Sequence, residues 1–216
     1  MSMAVSDHLA ASKLRMLEKH LKARGISDER VLAAMQRVPR EEFVPGPLRS
    51  HAYDDRALPV ELGQTISQPY TVAFMAQAAQ LHGDERVLEI GTGTGYGAAV
   101  LACLAKEVFT IERWPALLET ATPRLNRLGF ENVCTKLEDG SLGWAEQSPF
   151  DVIVVTAAAE RLPAAFLNQL TEGGRIIIPI GDSGSGQTMI RFTRQYGELR
   201  EESLGRFSFV PLVCDL

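Results

Sequence analysis

The chain has 216 residues, enough for one domain with a substantial core, and its 45% hydrophobic and 23% charged content is that of a globular protein and not of a disordered or fibrous one. The formal net charge of -5, with both signs spread along the chain, argues against nucleic acid as the main partner. No apolar run is long enough for a membrane span, and no leader pattern opens the sequence.

Residues from Ser6 to Arg24 set Leu9, Leu14, Leu17 and Leu21 among charged positions at helical spacing, and Gly25 reads as the stop. A second helix is predicted to start at Ser27, with Asp28 and Glu29 in its first turn. Pro39, Pro45 and Pro47 break that pattern, and Leu48 to Gly63 reads as irregular covering structure. After Pro69 the run "YTVAFMAQAAQL" reads as a helix.

From Arg86 the texture changes to alternating strands and helices. "RVLEI", "EVFTIE", "NVCTKL", "FDVIVV" and "GGRIIIPI" read as strands, with "AAVLACLA", "PALLETATPRLNRLG" and "PAAFLNQL" as helices between them. Pro123 is expected to kink its helix or end it early. The continuous hydrophobicity of "FDVIVV" suits a parallel strand buried on both faces. The pattern predicts an α/β fold, a doubly wound Rossmann-like sheet with right-handed crossovers. "DSGSGQ" reads as a turn, and "TMIRFTRQYGELREESLGRFSFVPLV" as strand, turn, strand, an antiparallel addition at one sheet edge. The chain is therefore read as one domain in three parts: residues 1–80 a helical cap and lid, 81–181 an α/β core, and 182–216 the antiparallel C-terminal addition.

Between the first strand and its helix lies "GTGTGYG", with Gly91, Gly93, Gly95 and Gly97, the context a nucleotide-binding loop needs. A dinucleotide fingerprint wants Gly or Ala three places after its second glycine. Counted from Gly93 that place is Tyr96, which weakens the dinucleotide reading; counted from Gly95 it is Ala98. Glu89, two residues before the loop, repels a pyrophosphate and suits a cationic ligand. S-adenosylmethionine carries a sulfonium and an ammonium and no phosphate. Glu112 ends the second strand, where an acid commonly accepts ribose hydroxyls. Asp139, in "EDG", follows the third strand, within reach of an adenine amino group. Each feature alone has a plain structural explanation, as a bare turn or a solvated strand end. Together, in register with the strand ends, they describe an adenosylmethionine site.

Cys103, Cys134 and Cys214 are odd in number and widely spaced, without a metal or disulfide framework. They point to a reducing, cytoplasmic setting in which each is a small buried apolar residue. The four histidines sit in no catalytic constellation, and His51 is expected to be structural.

Five stretches carry a resemblance to one family: "RGISDERVLAAMQRVPREEFVP", "AYDDRALPVELGQTISQPYTVAFM", "VLEIGTGTGYGAAVLA", "FDVIVVTAAAERLPAAFLNQLTEGGRIIIPIG" and the closing "FVPL". They resemble the protein-L-isoaspartate (D-aspartate) O-methyltransferases over nearly the whole chain. The glycine loop alone indicates only a methyltransferase superfamily, and "GQTISQP" narrows it to this family. The resemblance implies an S-adenosyl-L-methionine-dependent enzyme, with S-adenosyl-L-homocysteine as product. Its implied substrate is the α-carboxyl of L-isoaspartyl residues in damaged proteins. A monomer is expected. It implies Ser67 as the active-site residue. The expected cofactor contacts are Gln64, Thr65, Ile66, Glu89, Gly91, Thr92, Gly93, Glu112, Arg113, Asp139 and Gly140, with no metal.

Ser67 also has a simpler reading, as cap of the helix that follows. The "FVPL" segment, Phe209 to Leu212, is similar to the family's substrate-side strand and is expected either to pair with an extended peptide or to be an ordinary edge strand. Three positions depart from the family pattern. Glu138 stands where a glycine is usual, Val213 where a small or hydroxyl residue is usual, and Trp114 is expected to cover the sheet edge. A methyltransferase for another carboxylate, or a cofactor-binding protein without turnover, are the competing readings.

Overall fold

The computed structural model describes residues 2–182 and 186–214, with side chains from residue 7 onward. The centre of the expected "DSGSGQ" turn (183–185) and the last two residues of "PLVCDL" lie outside the described residues.

The chain opens with α1 (Ser2–Arg15), which runs into a wide π turn at Met16–Leu21 and a tight turn at Lys22–Arg24. The extra residue in the wide turn rotates the helix face. Met16, Leu17 and Leu21 are buried while Leu14 is 58% exposed, so the expected stripe through Leu14 is not formed. Gly25 ends the segment with φ +92°, a left-handed stop. In α2 (Glu29–Arg37) the cap is Asp28, whose carboxylate accepts from Arg30 N at 2.9 Å. Ser27 instead gives its N–H to Gln77 Oε1 at 2.8 Å.

The irregular stretch that follows contains β1 (Leu58–Pro59), which pairs antiparallel with β2 (Thr65–Ile66). Next come α3 (Pro69–Ala79), β3 (Arg86–Ile90), α4 (Tyr96–Ala102), β4 (Glu107–Glu112), α5 (Pro115–Arg127) and β5 (Val133–Leu137). The chain continues with β6 (Phe150–Val155), α6 (Ala164–Asn168), β7 (Leu170–Ile180), β8 (Gln187–Gln195) and β9 (Glu198–Phe207). Pro123 neither ends α5 nor breaks it. A proline inside a helix costs about 3 kcal/mol. Leu117, Ala121 and Leu125 bury one stripe through the same turns, and each large apolar side chain returns about 1.5–3 kcal/mol.

The main sheet has the order β5-β4-β3-β6-β7-β8-β9. Its first five strands are parallel, and β8 and β9 add antiparallel at one edge, as expected. Successive residues of a strand face opposite sides. Val87, Val108, Val152 and Val154 pack in the core shared with the N-terminal helices, α3 and α4. Leu88, Ile90, Phe109, Ile111 and Ile153 pack in the core under α6. The chain runs β3 to β5 in one direction and β6 onward in the other, so β3 and β6 flank the switch point. Open α/β sheets bind ligands at such a point, beyond the strands' carboxyl ends. Among the described residues, no helix is long and apolar enough to cross a membrane.

Candidate functional site

A cavity of about 830 Å³ opens over the carboxyl ends of β3, β4 and β6. Eleven of the twelve sequence-predicted residues line it: Gln64, Thr65, Ile66, Ser67, Glu89, Gly91, Thr92, Gly93, Glu112, Arg113 and Gly140. Asp139 stands just behind Gly140, is buried, and caps the short turn 140–142 by accepting from Ser141 N at 2.8 Å.

Glu89 and Thr110 are opposed across the β3–β4 ladder and point into the same face. Both are buried, and Thr110 Oγ1 donates to Glu89 Oε2 at 2.6 Å. Burial pushes the Glu89 carboxyl up to about 8; the Thr110 bond opposes this, and the Glu112 charge adds to it. Gly97 is required here, because a Cβ at that position would stand 2.3 Å from Glu89 Oε1. Gly91 takes φ +97°, and a Cβ there would meet Thr156 Oγ1 at 2.4 Å. That hydroxyl binds Ile90 O and Gly91 O at 2.9 and 3.0 Å and fastens the loop to the end of β6.

Glu112 is 5% exposed and carries two backbone donors, Gly93 N on Oε2 at 2.8 Å and Trp114 N on Oε1 at 3.0 Å. It therefore holds the glycine loop as well as facing the cavity. Arg113 gives Nη1 to Val213 O at 2.6 Å and rests over the Trp114 ring, 5.3 Å from its centroid. Trp114 lines the cavity instead of merely covering the sheet edge. Glu138 does not take a left-handed conformation and ion-pairs with Lys136, so the missing glycine brings no backbone strain.

The Gln64–Ser67 segment is the second arm of the small β1–β2 hairpin. Its turn places Leu62 and Gly63 at φ +57° and +67°. Helix α3 is capped by Gln68 and starts on Pro69, so Ser67 is not its cap. Among the described residues, Ser67 Oγ has no protein hydrogen-bond partner, and Ser67 is half-buried at the cavity wall. Gln68 Nε2 holds Asp55 Oδ1 at 2.7 Å, and Asp55 pairs with Arg24, whose guanidinium lies 3.6 Å from the Tyr70 ring centroid.

The "FVPL" segment is not a free strand. Val210 O accepts from Ala158 N at 2.8 Å, and Leu212 N donates to Ala158 O at 2.6 Å. Phe209 N donates to Gln187 Oε1 at 2.8 Å. Of the cysteines, Cys103 is half-buried while Cys134 and Cys214 are exposed, so the expectation of three buried thiols fails. Cys134 lies on β5, the edge strand of the sheet, whose residues are only partly covered. His51 bonds Asp54 at 3.0 Å on the surface, away from the cavity. Among the described residues no group of His, Cys, Asp or Glu is placed to hold a metal.

Residues that sequence reasoning did not select also line the cavity, notably Tyr96, Thr156 and Phe207. Thr156 was within reach, since it directly follows an apolar parallel strand, where ligand contacts concentrate.

A family model described as protein-L-isoaspartate (D-aspartate) O-methyltransferase matches residues 11–216. Protein-L-isoaspartate O-methyltransferase 2 of Marinobacter nauticus is 54% identical over 199 residues, which are 92% of this chain and 91% of the relative. The protein-L-isoaspartate O-methyltransferase of Protochlamydia amoebophila is 50% identical, over 92% of this chain and 95% of its own. A solved protein-L-isoaspartate O-methyltransferase superposes with a TM-score of 0.82 at 34% identity, covering 92% of this chain; the chain spans 65% of that longer one. A Plasmodium falciparum structure, described as a beta-aspartate methyltransferase in complex with S-adenosyl-L-homocysteine, gives a TM-score of 0.80 at 25% identity, covering 92% and 96%. The chain belongs to the protein-L-isoaspartate (D-aspartate) O-methyltransferase family.

Proposed function

We propose that the chain is a protein repair enzyme that methylates the α-carboxyl of L-isoaspartyl residues with S-adenosyl-L-methionine. The observation that carries this is one cavity with a glycine loop and two carboxylates on one wall and a Ser67 hydroxyl without a protein partner on the other.

The residues fit such a ligand. Gly91 and Gly97 keep the backbone bare where a side chain would collide. Glu112 puts negative charge beside the loop, and Glu89 adds to it once a cationic ligand draws off its proton, which favours an ammonium or sulfonium and disfavours a pyrophosphate. S-adenosylmethionine, when bound, would supply a methyl group on a positive sulfur for transfer to a carboxylate oxygen, the electron pair of the carbon–sulfur bond remaining on sulfur. The residues proposed to hold the cofactor are Gln64 to Ile66, Glu89, Gly91 to Gly93, Glu112, Arg113, Asp139 and Gly140. Asp139 serves by setting the turn at Gly140.

A chain-terminal type of carboxyl has a pKa of about 3.3–3.7, so the acceptor is already ionised at neutral pH. No general base is required, in keeping with a cavity wall without histidine among the described residues. The protein's part is to orient the carboxylate and keep it dry. Ser67 Oγ donates a hydrogen bond to one carboxylate oxygen and leaves the other to attack. A bond of this kind is worth about 1.5–3 kcal/mol.

The division into a cap and lid (1–80), a cofactor core (81–181) and an antiparallel addition (182–216) belongs to the same proposal. So does a cytoplasmic monomer. The three cysteines are unpaired. The outer strand β9 exposes Glu198, Arg200, Glu201, Glu202 and Arg206, charges that oppose edge pairing between copies. The test is a pair of peptides identical except for isoaspartyl or aspartyl at one site, incubated with labelled S-adenosylmethionine. Selective labelling of the isoaspartyl peptide is expected, and equal labelling or none overturns the proposal.

A further inference from the structure

Arg40 does not touch the cavity, yet it is the bulkiest of the fully buried side chains, with 0% exposure. Its Nε donates to Ala52 O at 2.6 Å and its Nη2 to Ser67 O at 2.7 Å. The guanidinium also lies over the Tyr96 ring, 4.6 Å from the centroid. Among the described residues no carboxylate forms an ion pair with it, and Nη1 has no hydrogen-bond partner.

A buried cation without a counter-ion is costly. Packing alone therefore does not account for an arginine here. The guanidinium fork does what an apolar residue cannot: it holds carbonyls from two chain segments at fixed angles while its flat face rests on a ring. The partners are informative. Ala52 closes the turn before the lid. Ser67 is the proposed carboxylate ligand. Tyr96 is the first residue of α4, directly behind the glycine loop, and is itself held by Phe43 edge-on at 5.6 Å and by its bond to Met35 Sδ at 3.6 Å. Ser67 and Tyr96 both line the cavity. The Ser67 carbonyl precedes the helix cap, so it is not spent on the hydrogen bonds of α3.

We infer that Arg40 is a positioning residue for methyl transfer: it clamps the Ser67 peptide unit to the helix that carries the cofactor loop. This fixes the distance between the acceptor's hydrogen-bond donor and the methyl donor. It rests on the proposed role of Ser67.

The test compares the whole protein with Arg40→Met and Arg40→Lys in three measurements: melting temperature, S-adenosylhomocysteine affinity by calorimetry, and steady-state methylation of an isoaspartyl peptide. Arg40→Met strands the Ala52 and Ser67 carbonyls and should melt below the parent, yet remain folded and bind S-adenosylhomocysteine as the parent does. Its turnover should nevertheless fall by roughly 10- to 100-fold, the size expected from a misplaced reacting group. Arg40→Lys, with one short donor group in place of the fork, should fall between the two. Turnover equal to the parent's in a folded Arg40→Met overturns the inference. So does a loss of cofactor affinity as large as the loss of turnover, which marks general loosening. If Arg40→Met does not fold, Arg40→Lys is read by the same two criteria. A parent protein that labels no isoaspartyl peptide, while binding S-adenosylhomocysteine, overturns the proposed function itself and is told apart from both outcomes.

Discussion

Thr110 Oγ1 donates a 2.6 Å hydrogen bond to Glu89 Oε2, and Thr92 Oγ1 lies a further 2.8 Å beyond Thr110 Oγ1. This buried relay joins the cofactor loop to the carboxyl that burial raises to about 8. A free carboxyl of this kind is protonated at neutral pH, and a cationic ligand beside it favours the ionised form.

Cofactor binding should therefore release a proton. Affinity for S-adenosylhomocysteine, whose ammonium is positive at neutral pH, should rise between pH 6 and about 8 in the parent, the window set by the raised Glu89 pKa. Calorimetry in buffers of different ionisation enthalpy reads the proton directly. In Glu89→Gln the affinity should be lower and the proton release absent.

The same group makes a stability prediction with a definite sign. Glu89 ionises near 4.3 when unfolded and near 8 when folded, so between these values the folded state holds the extra proton. Its contribution to stability declines as pH rises through that window. Urea denaturation should show Glu89→Gln gaining on the parent from pH 5 to pH 8. A constant difference across that range contradicts the assignment.

Glu112→Gln should loosen the loop. The carboxylate accepts from both Gly93 N and Trp114 N, and an amide offers an oxygen to only one of them. Losing a hydrogen bond to a charged group costs about 1.5–3 kcal/mol, or roughly tenfold and more in cofactor affinity. Equilibrium dialysis with S-adenosylhomocysteine is sufficient to measure it.

Ser67→Ala should separate binding from turnover. Methylation of an isoaspartyl peptide should fall roughly 10- to 100-fold, matching about 1.5–3 kcal/mol, with cofactor affinity unchanged. Equal falls in both, or none in either, contradict the role given to the hydroxyl.

Gly97→Ala tests the packing of the loop. Glycine to alanine within a helix ordinarily stabilises by roughly 0.5–1 kcal/mol. Here the new Cβ meets Glu89 Oε1 at 2.3 Å, on a buried side chain held by Thr110. Overpacking costs about 1–3 kcal/mol and should win, so the melting temperature should drop.

What was legible in the sequence follows from what is local. The central parallel strands β3 and β6 are buried on both faces, so "FDVIVV" and "RVLEI" announce themselves as apolar runs. The acids stand out because they end such runs. Arg40 was not legible, since its partner Ser67 is 27 residues away and nothing in "VPREEF" shows which side chain turns inward. The spacing of Leu14 misled because the π turn at Met16–Leu21 shifts the helical phase. Pro123 does not end its helix early, because the burial of Leu117, Ala121 and Leu125 outweighs a local cost. Ser67 looked like a cap because serine often is one; the proline after Gln68 moved the helix start one residue on.

The central claim is most directly tested by following one isoaspartyl peptide and its aspartyl twin by mass spectrometry during incubation with the protein and S-adenosylmethionine. The account predicts one methyl group on the isoaspartyl α-carboxyl, followed by accumulation of the aspartyl form as the methyl ester is displaced by the neighbouring backbone nitrogen and the ring opens. Methylation of the aspartyl twin at the same rate, or of neither peptide, would contradict it.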